Sequence, residues 1–388
     1  MKIAILCPFY GIVTRGAESL VRDVVRNLQK KHTIDIYSLG IGDGVTSIKG
    51  TSLNSPFLNG YRSFIKTFKL VFIPFINYVD ILMSSFSWSA INKIITNRIR
   101  YDIIWNNSSF WGDVFCSLYR FKTGTPFITT RHGLPFSRLT PLNYGKILGV
   151  PLPQPDRLIT FTEEFKKYYK TKKITVIPNC IDVQKFSPST KPLSLKRYKN
   201  LIQIEHPIVL STAALEPIKR IHLLIKAMQK MKRGTLIVTN TGSLEKDIVT
   251  LGKTYLKNRF IYLGIISKND LAATYALCDV FCLPSKSEAF SIAILEALST
   301  NKPVVTQYCK IRKQVIGDAG IVLKDASNIQ SLVKAIETAF THDYGDVPRK
   351  RALKYSLERI SKMYETVMID IMKQSPSRLK KVKHHILK

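Results

Sequence analysis

The sequence predicts an α/β protein of two domains, each built on a doubly wound parallel sheet. Three observations carry that expectation. Short apolar runs alternate with segments whose apolar residues recur at helical spacing, and the alternation occurs twice. The segment Pro178-Asn179-Cys180-Ile181-Asp182 separates the two series. At 388 residues the chain is also long for a single core. Two domains of about 180–200 residues each are the natural division.

In the first series, Lys2–Cys7 is an apolar strand that Pro8 ends. The loop Gly11–Gly16 follows. In Ala17–Leu28 the residues Leu20, Val21, Val24, Val25 and Leu28 keep helical spacing. Further strands are expected at Ile34–Leu39, Ile103–Trp105, Phe127–Thr130 and Leu158–Phe161. In the second series, strands are expected at Ile208–Thr212, Leu236–Thr239, Phe260–Leu263, Val280–Pro284, Pro303–Thr306 and Gly320–Leu323. Helices are expected around Leu223–Met231, Asp270–Ala276, Ile292–Leu298 and Ile329–Phe340. Ser187–Asn200 reads as a linker and first helix, and a last helix runs to about Lys373.

Composition narrows the function. Hydrophobic content of 45% with scattered charge indicates a globular chain, with no repeat or low-complexity tract. Cys7, Cys116, Cys180, Cys278, Cys282 and Cys309 are dispersed, and most sit in apolar runs. Cys278 and Cys282 have no second cysteine pair or nearby histidines to complete a zinc site, so buried free thiols are expected. The N-terminus enters a strand directly, which argues against a signal peptide and for a cytoplasmic chain. The net charge is +32. Residues 1–182 hold 24 basic and 11 acidic residues, and the remainder 35 and 16, so both halves are basic. Such a field favours polyanions: nucleoside diphosphates, anionic lipid headgroups or nucleic acid.

The most informative stretch follows the buried-strand pattern Asp279–Pro284. Ser285-Lys286-Ser287-Glu288-Ala289-Phe290-Ser291 forms a small-residue turn, and Ile292-Ala293-Ile294-Leu295-Glu296-Ala297-Leu298 a helix. A helix N-terminus offers unpaired N–H groups and partial positive charge to a diphosphate. Glu288 in the turn can accept sugar hydroxyls, and Glu296, two helical turns on, can hold a ribose. Alone, two glutamates at this spacing also fit an ordinary amphipathic helix with one capping and one solvated carboxylate.

This segment resembles the signature of GT-B glycosyltransferases, family 4 in particular. Val176-Ile177-Pro178-Asn179 with Ile181-Asp182, Phe186 and Pro188 resembles the family's interdomain crossover, with Cys180 where glycine is usual. The resemblance covers nearly the whole chain. It implies two Rossmann-like domains with parallel sheets facing across a cleft. Residues 1–182 would form the acceptor side, 183–345 the nucleotide-sugar domain, and 346–388 a helix crossing back plus a basic tail.

The resemblance also implies site residues. Lys219, in Ser211–Arg220, matches the family's lysine that meets the donor diphosphate; a fixed cation helps most as the leaving group gains charge. Ala214 stands where many members have arginine, and Arg220 where glycine is usual. Ile265 and Ile266, after Tyr262-Leu263-Gly264, would contact the nucleotide base through their backbone. Arg15-Gly16-Ala17-Glu18 resembles a glycine-glycine-x-glutamate turn in which Gly16 lets the backbone approach the donor. Ser291 and Ile292 would open the donor helix, although Ala289 and Ser291 replace usual glycines. His132, in Thr129-Thr130-Arg131-His132-Gly133, would line the reaction centre with Glu288. Its expected role is positioning rather than general base.

The expected reaction is transfer of a sugar, with retention, from a UDP-, GDP- or ADP-sugar to a glycan or lipid-linked acceptor. No cofactor or divalent metal is expected, since the chain has no Asp-x-Asp. Tyr61–Asn97 is aromatic, apolar and basic, through Phe64, Lys66, Phe68, Lys69, Phe72, Phe75, Tyr78, Phe86, Trp88 and Lys93. It either touches lipid as an interfacial helix pair or packs on the first sheet. With the tail Arg378–Lys383, it makes an anionic membrane surface the expected partner, at the cytoplasmic face. No recognised motif supports nucleic acid. A non-transferring relative of the same fold, an epimerase or phosphorylase, stays open as an alternative.

Overall fold

A computed structural model of the chain describes residues 1–12, 16–40, 45–47, 78–108, 110–132, 154–167, 169, 171, 173–193, 204–288 and 290–374. Arg15, Gly133, Ala289, the aromatic stretch before Tyr78, the end of Ser187–Asn200 and the tail Arg378–Lys383 lie outside the described residues. The chain divides into two compact units, Met1–Pro178 with Ile360–Lys388, and Asn179–Arg359.

The first unit carries seven parallel strands: β1 (Lys2–Leu6), β2 (Thr33–Ser38), β3 (Val45–Ser47), β4 (Ile103–Asn106), β5 (Phe127–Arg131), β6 (Arg157–Thr160) and β7 (Ile174–Val176). Their spatial order is β3-β2-β1-β4-β5-β6-β7. Beyond β1 the order reverses direction, and β4 lies on the other side of it. Such a switch point leaves a crevice at the carboxyl ends of the two central strands. Every residue of β4 is buried, and β1 is buried beyond Lys2. Continuous apolar strands of this kind need cover on both faces.

Helices α1 (Gly16–Leu28), α2 (Tyr78–Thr96) and α3 (Phe110–Thr123) accompany this sheet. Phe86, Ala90, Ile91 and Ile94 of α2 and Cys116 and Tyr119 of α3 form one core cluster with Ile104 and Phe127. For Phe86 the packing alternative therefore holds. Helix α4 (Glu163–Lys166) begins at Thr162, whose hydroxyl accepts from the Phe165 amide at 3.3 Å. The last helix of the chain starts at Leu357, and its residues from Ile360 group with the first unit. There the buried Tyr364 ring lies 4.7 Å from Trp105, and Glu365 bonds His32 at 2.8 Å.

The second unit repeats the plan with six parallel strands: β8 (Ile208–Ser211), β9 (Thr235–Thr239), β10 (Phe260–Gly264), β11 (Val280–Leu283), β12 (Val304–Gln307) and β13 (Gly320–Leu323). Their order is β10-β9-β8-β11-β12-β13, so the switch point falls between β8 and β11. Helices α5 (Ile221–Lys230), α6 (Glu245–Leu256), α7 (Lys268–Leu277), α8 (Ile292–Ser299), α9 (Lys310–Ile316), α10 (Ile329–Thr341) and α11 (Val347–Leu353) join them; the last helix above is α12 (Leu357–Lys373).

All six cysteines are free, and five are buried. Burial pushes the Cys7 and Cys278 thiols up to about 12, so both stay protonated and inert at neutral pH.

Candidate functional site

Two loops converge at the second unit's switch point. After β8 the chain passes through Glu216 into a 3-10 turn, Pro217–Lys219, with Pro217 at the start where no N–H is needed. Arg220 then takes a left-handed conformation with φ 55°. That explains why glycine is usual there: a side chain is tolerated at a cost. The Arg220 guanidinium donates to Gln307 Oε1 at 2.8 Å, which ties this turn to the end of β12.

After β11 the second loop returns toward the first. The Lys286 amide donates to the Ile218 carbonyl at 2.9 Å, joining the two loops through their backbones. The Lys219 ammonium and the Glu288 carboxylate form an ion pair here, and both side chains are largely shielded from water. Ser285 Oγ donates to the same Glu288 oxygen at 3.2 Å. Behind it stands Arg312, 1% exposed, which donates to the Ser285 carbonyl at 2.9 Å and to its hydroxyl at 3.2 Å. Arg312 also donates to the Gln307 carbonyl at 2.8 Å. Burial pulls its guanidinium below the usual value, a shift that Cys309 and then Glu288 oppose only in part. The loop thus presents a carboxylate flanked by fixed cations, at the place where an α/β sheet binds ligands.

Helix α8 opens with Ser291 as its N-cap, and the Ser291 side chain makes no cap hydrogen bond. Ile292 is the first helical residue. Ile294, Leu295, Ala297, Leu298 and Ser299 are buried, so Glu296 is a carboxylate in an otherwise apolar helix. Its Oε2 accepts from the buried Tyr275 hydroxyl at 2.9 Å. The phenol has one proton, which a charged carboxylate takes in preference. The Thr212 hydroxyl, 2.7 Å away, then donates into the phenol oxygen. Burial and the Glu296 charge raise the Tyr275 phenol well above its ordinary value. This chain links the end of β8 to α8, again across the switch point.

Ile265 and Ile266 follow Gly264, whose φ of 62° turns the chain at the end of β10. Ile265 is 78% exposed. This turn is two strands away from β8, with β9 between them.

In the first unit, Gly16 is the first residue of α1. His132 directly follows β5, and its Nε2 lies 2.6 Å from Asn107 Oδ1. Asn107 follows β4; its amide donates to the Leu6 carbonyl at 2.9 Å and its Nδ2 to Cys7 Sγ at 3.6 Å. The chain from His132 to Cys7 therefore crosses this unit's own switch point. Burial, and then the neighbouring Arg131 charge, push His132 down to about 3, so the ring is neutral at physiological pH. Arg131 pairs with the buried Asp113, which also accepts from Thr129 and, at 2.7 Å, from Asn106. Burial raises Asp113, and the Arg131 charge opposes that shift.

Sequence reasoning did not find Ser285, Arg312, Tyr275, Asn107 or Asp113. Asn106-Asn107 immediately after an apolar strand is the signal that could have exposed one of them. Tyr275 and Arg312 sit on helices far from the motif, and only the sheet order brings them there. Among the described residues, no group of three or more His, Cys, Asp or Glu is arranged to hold a metal ion.

Two doubly wound sheets, one with paired charges and the other with a neutral histidine at its switch point, define an α/β protein equipped for anionic, hydroxyl-rich ligands. The glycosyltransferase family 4 model matches residues 14–185, and the model of glycosyl transferases group 1 matches residues 194–356. The chain belongs to the family 4, group 1 glycosyltransferases and has the GT-B fold. It is 26% identical over 125 residues to sulfoquinovosyl transferase SQD2 of Arabidopsis thaliana, covering 32% of this chain and 24% of that protein. It is 26% identical over 266 residues to UDP-Gal:alpha-D-GlcNAc-diphosphoundecaprenol alpha-1,3-galactosyltransferase of Escherichia coli, covering 62% of this chain and 67% of that protein. The chain thus spans about a quarter of the first relative and two thirds of the second. The Anabaena protein HepE, solved in complex with UDP and glucose, has the same fold: TM-score 0.68 at 15% identity, over 95% of this chain and 99% of that one.

Proposed function

We propose that this chain is a retaining glycosyltransferase that moves a sugar from a nucleoside diphosphate donor to a glycan or lipid-linked acceptor. The observation that carries this reading is the Lys219–Glu288 pair at the second unit's switch point. The helix that Ser291 opens, which carries Glu296, follows the Glu288 loop in the chain. In this reading Lys219 and the first amides of α8 take the diphosphate, and Glu296 the ribose. Ile265 and Ile266 meet the base through their backbone. When a diphosphate enters, its oxygens compete with Glu288 for the Lys219 ammonium, which frees the Glu288 carboxylate for sugar hydroxyls. The leaving diphosphate gains charge as the glycosidic bond breaks, and a fixed cation stabilises that state most. His132, neutral and held by Asn107, positions a sugar hydroxyl.

The relatives support the substrate classes. One is named for transfer from UDP-Gal to a lipid diphosphate-linked sugar, and HepE was solved with UDP and glucose. We take the donor to be a UDP-, GDP- or ADP-sugar used without a divalent metal, in building cell-envelope glycans. The chain would work attached to the cytoplasmic face of a membrane. No helix among the described residues is long and apolar enough to cross one.

Turnover with a panel of nucleotide sugars and lipid-linked acceptors tests this reading, with the anomeric configuration of the product read by NMR. An α-linked product from an α-configured donor, formed after dialysis against EDTA, is expected. Inversion, or complete loss of turnover restored only by magnesium or manganese, would overturn the retaining and metal-free parts respectively.

A further inference from the structure

In the described part of helix α2, from Leu82 on, apolar side chains lie on both faces, and large ones on one of them are exposed. Phe86, Ala90, Ile91 and Ile94 pack into the first unit's core. On the opposite face Trp88 is 54% exposed, and its ring lies 5.6 Å from Phe115 of α3. About one and two turns beyond Phe115, Leu118 is 59% and Phe121 91% exposed. Ile95 continues the α2 stripe two turns after Trp88 and is 39% exposed. Four large exposed apolar side chains thus share one pair of neighbouring helices.

The exposed charged side chains described on these helices, Lys93 and Lys122, are both cations. The exposed charged residues between 82–100 and 110–123 are Lys93, Arg98, Arg100 and Lys122. The acidic residues of the two helices are Asp80, near the start of α2, and Asp113, which is buried and paired with Arg131. Apolar side chains with exposed lysines beside them suit the boundary of an anionic bilayer, where rings and aliphatics enter the headgroup region and lysines meet the headgroups. A second copy of this face would instead set Lys93 and Lys122 against cations of its own.

We propose that the outer face of α2 and α3, centred on Trp88, Leu118 and Phe121 and flanked by Lys93 and Lys122, docks the protein onto an anionic lipid surface. The proposal rests on the membrane-attachment reading above and assigns that attachment to a surface.

The test uses the full chain and sedimentation with vesicles of phosphatidylcholine alone or mixed with phosphatidylglycerol. Wild type should bind the anionic vesicles at low salt and be released as salt rises. The triple variant Trp88→Ser, Leu118→Ser, Phe121→Ser should bind at least ~10-fold more weakly, while Tyr255→Ser, an exposed aromatic in the second unit, binds like wild type. If the triple variant does not fold, Lys93→Glu with Lys122→Glu serves in its place. Wild-type binding that these variants leave intact overturns this face but not the attachment. Equal binding to neutral and anionic vesicles overturns the anionic partner. A wild-type dimer that the triple variant converts to monomer, with vesicle binding unchanged, makes the face a self-association surface and overturns the proposal. Wild type that ignores anionic vesicles overturns both face and attachment; donor binding, read separately by thermal shift, then judges the glycosyl-transfer reading independently.

Discussion

Lys219 and Glu288, on loops that follow different strands, form an ion pair at the single point where the second unit's sheet reverses its strand order. Neither loop could hold this geometry alone. The Lys286 amide bonded to the Ile218 carbonyl fixes their separation, and Arg312 braces Ser285 from behind. An ion pair shielded in this way is poor evidence for stability, because desolvating two charges offsets much of their attraction. Its placement is better explained by the ligand that would divide it.

Lys219→Ala should therefore lower turnover by about 10²-fold or more, by comparison with loss of a single donor to a developing charge. Lys253→Ala, an exposed lysine on α6, should leave turnover unchanged. Steady-state kinetics of both variants check this, and equal rates for Lys219→Ala and wild type contradict it.

Tyr275→Phe deletes the hydroxyl that joins Thr212 to Glu296 and leaves the buried Thr212 and the half-buried Glu296 each short of a bond. A loss of about 1–3 kcal/mol in urea unfolding is expected. Because Glu296 loses one of its anchors, donor affinity should weaken more than turnover at saturation. A rise in KM with kcat nearly unchanged is the expected pattern.

His132 gives a pH dependence whose sign follows from its depressed pKa. The unfolded ring takes up a proton as pH falls through 6.5, whereas the folded ring resists until about 3. The unfolded state binds more protons between those values. This contribution is therefore complete above about pH 6.5 and lost as pH falls toward 3, with a slope of at most about 1.4 kcal/mol per pH unit. The stability difference between wild type and His132→Gln should shrink from pH 7.5 to pH 4.5 in urea unfolding. A difference that is constant across this range contradicts it.

Tyr364→Ala should cost about 3–5 kcal/mol, because the ring is fully buried against Trp105. The loss appears in the unfolding midpoint. Stability unchanged by this truncation would show that α12 adds little to the first unit.

Much of this architecture was legible in the sequence because parallel strands covered on both faces read as unbroken apolar runs. Val280–Leu283 and Ile208–Ser211 are buried along their whole length, and their expected bounds differ from the observed ones by one residue. Strand β7, Ile174–Val176, is not among the expected strands, because three half-buried residues give no such run. Helix α3, Phe110–Thr123, was missed for the opposite reason: exposed Leu118 and Phe121 blur its apolar periodicity. Glu288 and Glu296 could be picked out because one lies in the turn after an apolar strand and the other on an apolar helix, whereas Lys219 was picked out through the family resemblance. Tyr275 and Arg312 could not, since what makes them relevant is the order of strands in space rather than their own neighbours in sequence.

The central claim, that the second unit holds a nucleotide sugar through Lys219, Glu288 and Glu296, is tested most directly by thermal shift against UDP-, GDP- and ADP-sugars in the presence of EDTA. A ligand that binds only the native state raises the unfolding midpoint. The account predicts that at least one nucleotide sugar raises the midpoint of wild type, and that Lys219→Ala and Glu296→Gln reduce or abolish that rise. No shift with any of these donors, or the same shift in both variants as in wild type, would contradict it.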